Sequence, residues 1–254
     1  MKRDTLNAIK FRGITSSVLA ICTYLIIWVC CEFLHGITMS GFFAAAAAIV
    51  AVIFTSMIFK LSATKMISDI SASKVFSAYR AMFFAYVIYA ALLGAMLFYS
   101  LNYIGLDIWD YALQQNDSSF EGAFYCAMGA LYAGLKHLSE IGKSQIIALW
   151  STANIMLALI VLWKRVATLY LLGKASGSKI FYICAVITLI WGALPKLLEI
   201  FQVDKSWYGS APARYAALTV ILLSEILELI AWIRIKGISG AELWNKNLWT
   251  TPAK

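Results

Sequence analysis

The feature that most constrains this chain is a series of apolar stretches, each about as long as a helix that crosses a membrane. Such a helix needs about 20 mostly apolar residues to cross a hydrocarbon core of about 30 Å. Six stretches meet this requirement: 14–34, 41–60, 81–104, 145–163, 180–201 and 215–233. Hydrophobic residues make up 62% of the 254 positions and charged residues only 13%, too few polar groups to cover a soluble globule. We therefore predict an all-α, polytopic integral membrane protein with about six transmembrane helices.

The basic residues predict how these helices are oriented, because cytoplasmic loops of membrane proteins carry an excess of Lys and Arg. With both termini cytoplasmic, six spans place most of the basic residues on the cytoplasmic side. The exceptions are Lys136, Lys143, Lys205 and Arg214 on the opposite side and Lys196 inside a span. The asymmetry would largely vanish if the apolar stretch Gly122–Leu135 also crossed, and as a helix it reaches only roughly 21 Å. We predict that it is re-entrant or interfacial, and the basic N-terminal segment favours a bacterial inner membrane.

Residues 118–145 read SSFEGAFYCAMGALYAGLKHLSEIGKSQ and lie between two of the apolar stretches. An aromatic-rich apolar segment, a glycine-bearing segment and a final Gly-Lys pair at Gly142 resemble the pore region of two-transmembrane potassium-channel modules. The resemblance covers residues 81–165 and implies an oligomeric pore with Gly134 as the first filter glycine. The Thr-x-Gly-Tyr-Gly signature, whose backbone carbonyls replace the hydration shell of K⁺, is absent. Lys136 and His137 would place cations at that depth, which favours anions or blocks conduction.

Two further residues belong to this pore hypothesis. Glu140 lies in an acidic segment that would form the outer mouth, and Asn154 in the stretch 145–163 would face the pore. In the alternative interpretation, Gly122–Leu135 is a buried or amphipathic helix that covers its neighbours, and Asn154 bonds an adjacent helix. The small residues of that segment permit close helix packing in either case.

Ionisable side chains inside the spans form a second group of candidates, because they are costly in lipid and usually face the protein interior. Lys196 follows Pro195 in the stretch 180–201, and Glu225 and Glu228 share a face of the stretch 215–233. A short loop joins these two stretches, so we expect them to pack antiparallel with Lys196 reaching Glu225. The charges either fix the register of the helices or form a proton or cation relay.

The chain divides into an N-terminal helix pair with a Ser-rich cytoplasmic linker (1–80), a central pore-loop-like unit (81–165) and a C-terminal helix pair with a tail (166–254). We expect no enzyme activity, cofactor, metal site or nucleic-acid partner, because catalytic motifs, ligand spacings and long basic runs are absent. The leading hypothesis is a homo-oligomeric pore for ions or small solutes in the lipid bilayer. The alternatives are a non-conducting subunit that scaffolds a membrane or cytoplasmic protein partner, and a proton-coupled carrier.

Overall fold

The computed structural model describes residues 3–115, 119–200 and 211–238, and this part of the chain is helical, with no strand. The described residues form eight α-helices. In chain order these are α1 (Arg3–Phe33), α2 (Met39–Ser71), α3 (Val75–Ile104), α4 (Leu106–Gln115), α5 (Phe120–Glu140), α6 (Ser144–Ser176), α7 (Lys179–Ile200) and α8 (Ala211–Arg234). The predicted all-α class is therefore confirmed for the described residues.

Four of these helices are long and apolar enough to cross a membrane. The qualifying segments are Asp4–Phe33, Met39–Ser71, Val75–Tyr103 and Ser144–Ser176, and α7 contributes a shorter apolar segment, Lys179–Gly192. The predicted span 180–201 extends one residue past the described range 119–200, and the predicted span 215–233 lies within α8. The count of six spans and the re-entrant character of Gly122–Leu135 remain predictions.

Two helices extend well beyond the ends of their apolar runs. The sequence predicts spans that end near residues 60 and 163, followed by linkers, whereas α2 continues to Ser71 and α6 to Ser176. Each has 33 residues, which corresponds to about 50 Å of helix. The extensions stay helical because they bury apolar side chains: Ala63 and Ile67 of α2 and Leu172 of α6 are fully buried. Much of the Ser-rich linker is therefore helix.

The chain forms two compact units, and the first comprises Met1–Tyr24, Ile53–Phe83 and Val161–Lys254. Its core is a cluster of fully or almost fully buried side chains that includes Ile9, Ile67, Leu169, Phe181 and Trp232. Trp232 packs edge-on against Phe181, with ring centroids 5.3 Å apart. Segments distant in sequence therefore meet around one indole ring.

The second unit comprises Leu25–Val52 and Phe84–Ile160 and includes α4 and α5. Its core groups buried side chains of α2, α4 and α5 around Phe42 and Phe120, whose rings lie 5.1 Å apart. Two hydrogen bonds fix the helix ends: the carboxylate of Asp110 accepts from the N–H of Met39 at 2.7 Å, and the hydroxyl of Ser119 accepts from the N–H of Gly122 at 3.0 Å. Such caps satisfy donors that the first turn leaves unpaired.

The surface of the membrane-length helices is apolar. Phe98 is 71% exposed and Leu149 is 73% exposed, and at most 17% of the residues in the apolar windows of the four long helices are buried. Soluble monomers rarely expose apolar surface of this extent, whereas lipid solvates it. The described helices are thus those of a membrane protein, in which charged groups need a special environment.

The packing on Trp232 yields a stability prediction. A Cβ added at Gly13 would collide with the indole ring, whereas a Cβ added at Gly94 in the interior of α3 meets nothing within 4 Å. We expect Gly13→Ala to lower the free energy of unfolding by about 1–3 kcal/mol through overpacking. Gly94→Ala, the matched control, gains helix propensity and loses nothing. Thermal unfolding in detergent measures both, and equal midpoints for the two variants would contradict the packing described.

Candidate functional site

The candidate site is a group of four buried or half-buried charged side chains in the first unit, which we call the charge cluster: Lys60, Arg165, Glu225 and Glu228. The two glutamates lie three residues apart on α8, a spacing that places both on one face of the helix. Both are almost completely buried, with relative exposures of 3% and 1%. One face of α8 therefore presents two carboxylates to the interior of the unit.

Each carboxylate has its own basic partner on a different helix. Arg165 of α6 donates from Nη2 to Oε1 of Glu225 at 2.5 Å, and the ammonium of Lys60 on α2 forms an ion pair with Oε1 of Glu228. The pairs tie α8 to α6 and to α2. Two cations and two carboxylates give the cluster no net charge, which is the condition for holding charges away from water.

The two pairs differ in how firmly they are held. The side chain of Lys60 is 11% exposed, and Glu228 also accepts a hydrogen bond from Nε1 of the buried Trp232 at 3.2 Å. The side chain of Arg165 keeps 33% of its surface exposed. Lys60–Glu228 is therefore the more enclosed pair and is anchored in the core, whereas the arginine of the Arg165–Glu225 pair keeps part of its surface accessible. An arginine with free donors binds carboxylate or phosphate in a bidentate manner.

Sequence reasoning identified the glutamates of this cluster but not their partners. Glu225 and Glu228 share a buried face, as their spacing predicts. The side chain of Lys196, the predicted partner of Glu225, lies outside the described part of the structure. Within the described part, Glu225 pairs with Arg165. The sequence predicts only a cytoplasmic location for Lys60 and Arg165, since each stands at the end of an apolar run. The structure shows their role because α2 and α6 continue as helices past them.

The predicted filter residues lie within or next to one continuous helix. Residues Phe120–Glu140 are helical throughout, and the chain turns at Gly142, where φ is +75°. Gly134 packs so tightly on Ser100 of α3 that a Cβ there would collide with the serine side chain. A carbonyl-lined filter needs backbone oxygens that are free to bind an ion, and helical carbonyls bond within the helix. The observed role of Gly134 is close packing.

The other pore candidates have local partners. His137 stacks on Tyr103 with ring centroids 3.7 Å apart, and Lys136 lies 3.9 Å from Glu140 with both side chains at least 60% exposed. Asn154 donates to the carbonyl of Trp150 in its own helix at 2.8 Å, and its buried carbonyl oxygen has no hydrogen-bond partner in the described structure. Of these candidates, Lys136 and Glu140 pair with each other, and the part of the whole set in a pore stays a prediction.

The described residues contain no group of three or more His, Cys, Asp or Glu side chains that would hold a metal ion. The charge cluster itself offers a carboxylate that can accept a proton and a guanidinium that can exchange one anionic partner for another. These are acid–base and ion-exchange steps.

The charge cluster yields a second prediction. Arg165→Met leaves the carboxylate of Glu225 buried without its cation, and we expect a loss of about 2–5 kcal/mol in stability. Lys136→Met is the matched control, because it breaks an exposed pair at i,i+4 that contributes less than about 0.5 kcal/mol. The midpoints of thermal unfolding in detergent compare the two. If Arg165→Met and Lys136→Met had the same melting temperature, the buried pair would not be formed.

Comparisons with known proteins supply no relative. No family model, no curated protein and no solved structure matches this chain. What the four charged side chains do therefore follows from their own distances, burial and charge.

Proposed function

We propose that this protein is a membrane carrier that couples the movement of a proton to that of an anionic solute, with the charge cluster as its coupling site. One observation carries the proposal: in the Arg165–Glu225 pair the glutamate side chain is only 4% exposed, whereas the arginine side chain keeps 33% of its surface exposed. Ionisable groups held within membrane helices are costly and mark ion, proton or substrate pathways.

The coupling follows from charge balance at this pair. A proton that binds Glu225 neutralises the carboxylate and frees Arg165 to bind an anionic group of the solute. The net charge of the site is the same with a proton and an anion bound as with neither. Either one alone leaves an uncompensated charge in a poorly solvated place, which costs several kcal/mol. The two therefore bind and leave together.

The second pair has a different role in this proposal. Lys60–Glu228 is closed by burial and by the hydrogen bond from Trp232, so it holds α8 against α2 while the first pair changes partners. The fixed pair and the exchangeable pair lie on adjacent turns of α8. The helix therefore has a defined position both when Glu225 is paired with Arg165 and when a proton and the solute have replaced this pairing. Secondary transporters place their coupling groups in helix bundles in this way.

A pore formed by residues 81–165 is the alternative that the channel resemblance favours. It would use Gly134, Lys136, His137, Glu140 and Asn154. The carrier is preferred because Gly134 is in a helix packed on Ser100, and because His137 and Lys136 already contact neighbours within their own unit. A homo-oligomer and a protein partner are compatible with either function.

The proposed topology has six spans with both termini on the cytoplasmic side of a bacterial inner membrane. Its support is the distribution of basic residues: the second unit contains only Lys136 and Lys143, and the others belong to the first unit. Cytoplasmic segments carry the excess of Lys and Arg. In this topology the charge cluster lies toward the cytoplasmic ends of α2 and α6.

The topology is tested with reporter fusions. Alkaline phosphatase, active only outside the cytoplasm, is fused after Ser119 and after Gly142, on either side of α5. We expect high activity at both positions, because α5 does not cross. Fusions after Ala72 and after Gly177 are the cytoplasmic controls and stay inactive. Opposite results at Ser119 and Gly142 would mean that α5 spans the membrane and that the orientation of later helices is reversed.

The carrier function is tested in proteoliposomes that contain a pH-sensitive dye and are offered a panel of small carboxylates and phosphates. We expect the native protein to acidify the lumen when an anionic solute is added outside. The rate of acidification should be at least ten-fold lower for Glu225→Gln and unchanged for the matched control, Glu140→Gln. Equal rates for Glu225→Gln and native protein would exclude the coupling role. Ion conductance without added solute, abolished by Lys136→Ala, would favour the pore.

A further inference from the structure

A cavity of about 880 Å³ lies in the first unit and shares no residue with the charge cluster. Three segments line it: the start of α1 at Leu6 and Lys10, the turn 176–178 between α6 and α7, and the residues 233–236 at the end of α8. We call it the basic cavity. Its volume falls within the range of pockets that hold small ligands.

The described charges that line the basic cavity all have one sign. Lys10, Arg234 and Lys236 contribute three cations, and no acidic side chain is among the described lining residues. Lys10 is held in place, since its ammonium donates to the carbonyl oxygen of Ile233 at 3.0 Å. Arg234 and Lys236 are exposed and keep their side chains available to an incoming group. Clustered cations without counter-charges repel one another unless an anion joins them.

The dipoles of the helix ends near the cavity offset only part of this positive charge. α6 and α8 end at Ser176 and Arg234, so two carboxyl-terminal dipoles add about −0.5 charge each, and α7 begins just after Ser178 with about +0.5. These dipole charges sum to about −0.5, so with three full cations the cavity keeps an excess of about 2.5 positive charges. The turn itself is fixed by Gly177, whose φ is +67°, and by the N–H of Ser178 donating to the hydroxyl of Ser176 at 3.3 Å.

The rest of the wall is apolar. Leu6, Ile233 and Ile235 line the cavity beside the cations. An anionic phosphate group next to apolar chains satisfies both parts of the wall, and basic pockets between membrane helices on the cytoplasmic side bind anionic lipid head groups. We propose that the basic cavity binds a phosphate group, supplied by an anionic phospholipid at the membrane surface or by a soluble phosphate compound.

Binding is measured on the full-length protein in a non-ionic detergent, with fluorescent phosphatidylglycerol and phosphatidylcholine as lipid probes and inorganic pyrophosphate as the soluble probe. The test variant is Arg234→Gln with Lys236→Gln. The control is Lys174→Gln with Lys179→Gln, which removes the same charge from exposed lysines outside the cavity lining. All four side chains are exposed, so folding is retained.

We expect native protein to prefer phosphatidylglycerol to phosphatidylcholine. The test variant should bind it roughly thirty-fold more weakly, since each basic group near the surface contributes about five-fold, and the control should stay within about two-fold. If pyrophosphate instead raises the melting temperature of the native protein but not of the test variant, the soluble compound is the ligand of the same cavity. Equal binding by native protein and test variant, equal losses in both variants, or no preference for either anionic probe would overturn the proposal.

Discussion

The structure of the first unit depends on one constraint: a charge held among membrane helices needs an opposite charge beside it. Two glutamates on one face of α8 meet this condition with a lysine from α2 and an arginine from α6. Because an unpaired buried ion costs several kcal/mol, the pairs fix which helices neighbour α8 and in which register. Apolar contacts between membrane helices lack this selectivity, since lipid solvates an apolar face as well as a protein does.

The same constraint separates a structural element from a working one. Glu228 is enclosed by Lys60, by Trp232 and by the core around Phe181. This enclosure disfavours a change of partner. Glu225 has a partner that remains one-third exposed. A site that exchanges protons and anions needs this asymmetry, because one part must stay in place while the other changes. The basic cavity adds a second place in the same unit where positive charge exceeds negative charge.

Much of the fold is predictable from the sequence, because long apolar runs leave few alternatives to membrane helices. The buried face that carries Glu225 and Glu228 follows from their spacing on one helix. Their partners do not follow, because Lys60 and Arg165 lie far away in the sequence and stand where the positive-inside rule already explains a basic residue. The helical packing of Gly134 is one of two alternatives that the sequence leaves open, since a glycine in an aromatic-rich segment suits a filter and a close helix contact equally well. The structure shows this glycine packed on Ser100.

The buried charges of α8 are coupled to their partners on other helices, and a double-mutant cycle tests this coupling most directly. Lys60→Met, Glu228→Met and the double variant are compared with native protein by equilibrium unfolding in detergent. We expect the double variant to lose less stability than the two single variants together, with a coupling energy of about 1–3 kcal/mol. Losses that add to within about 0.5 kcal/mol would contradict it.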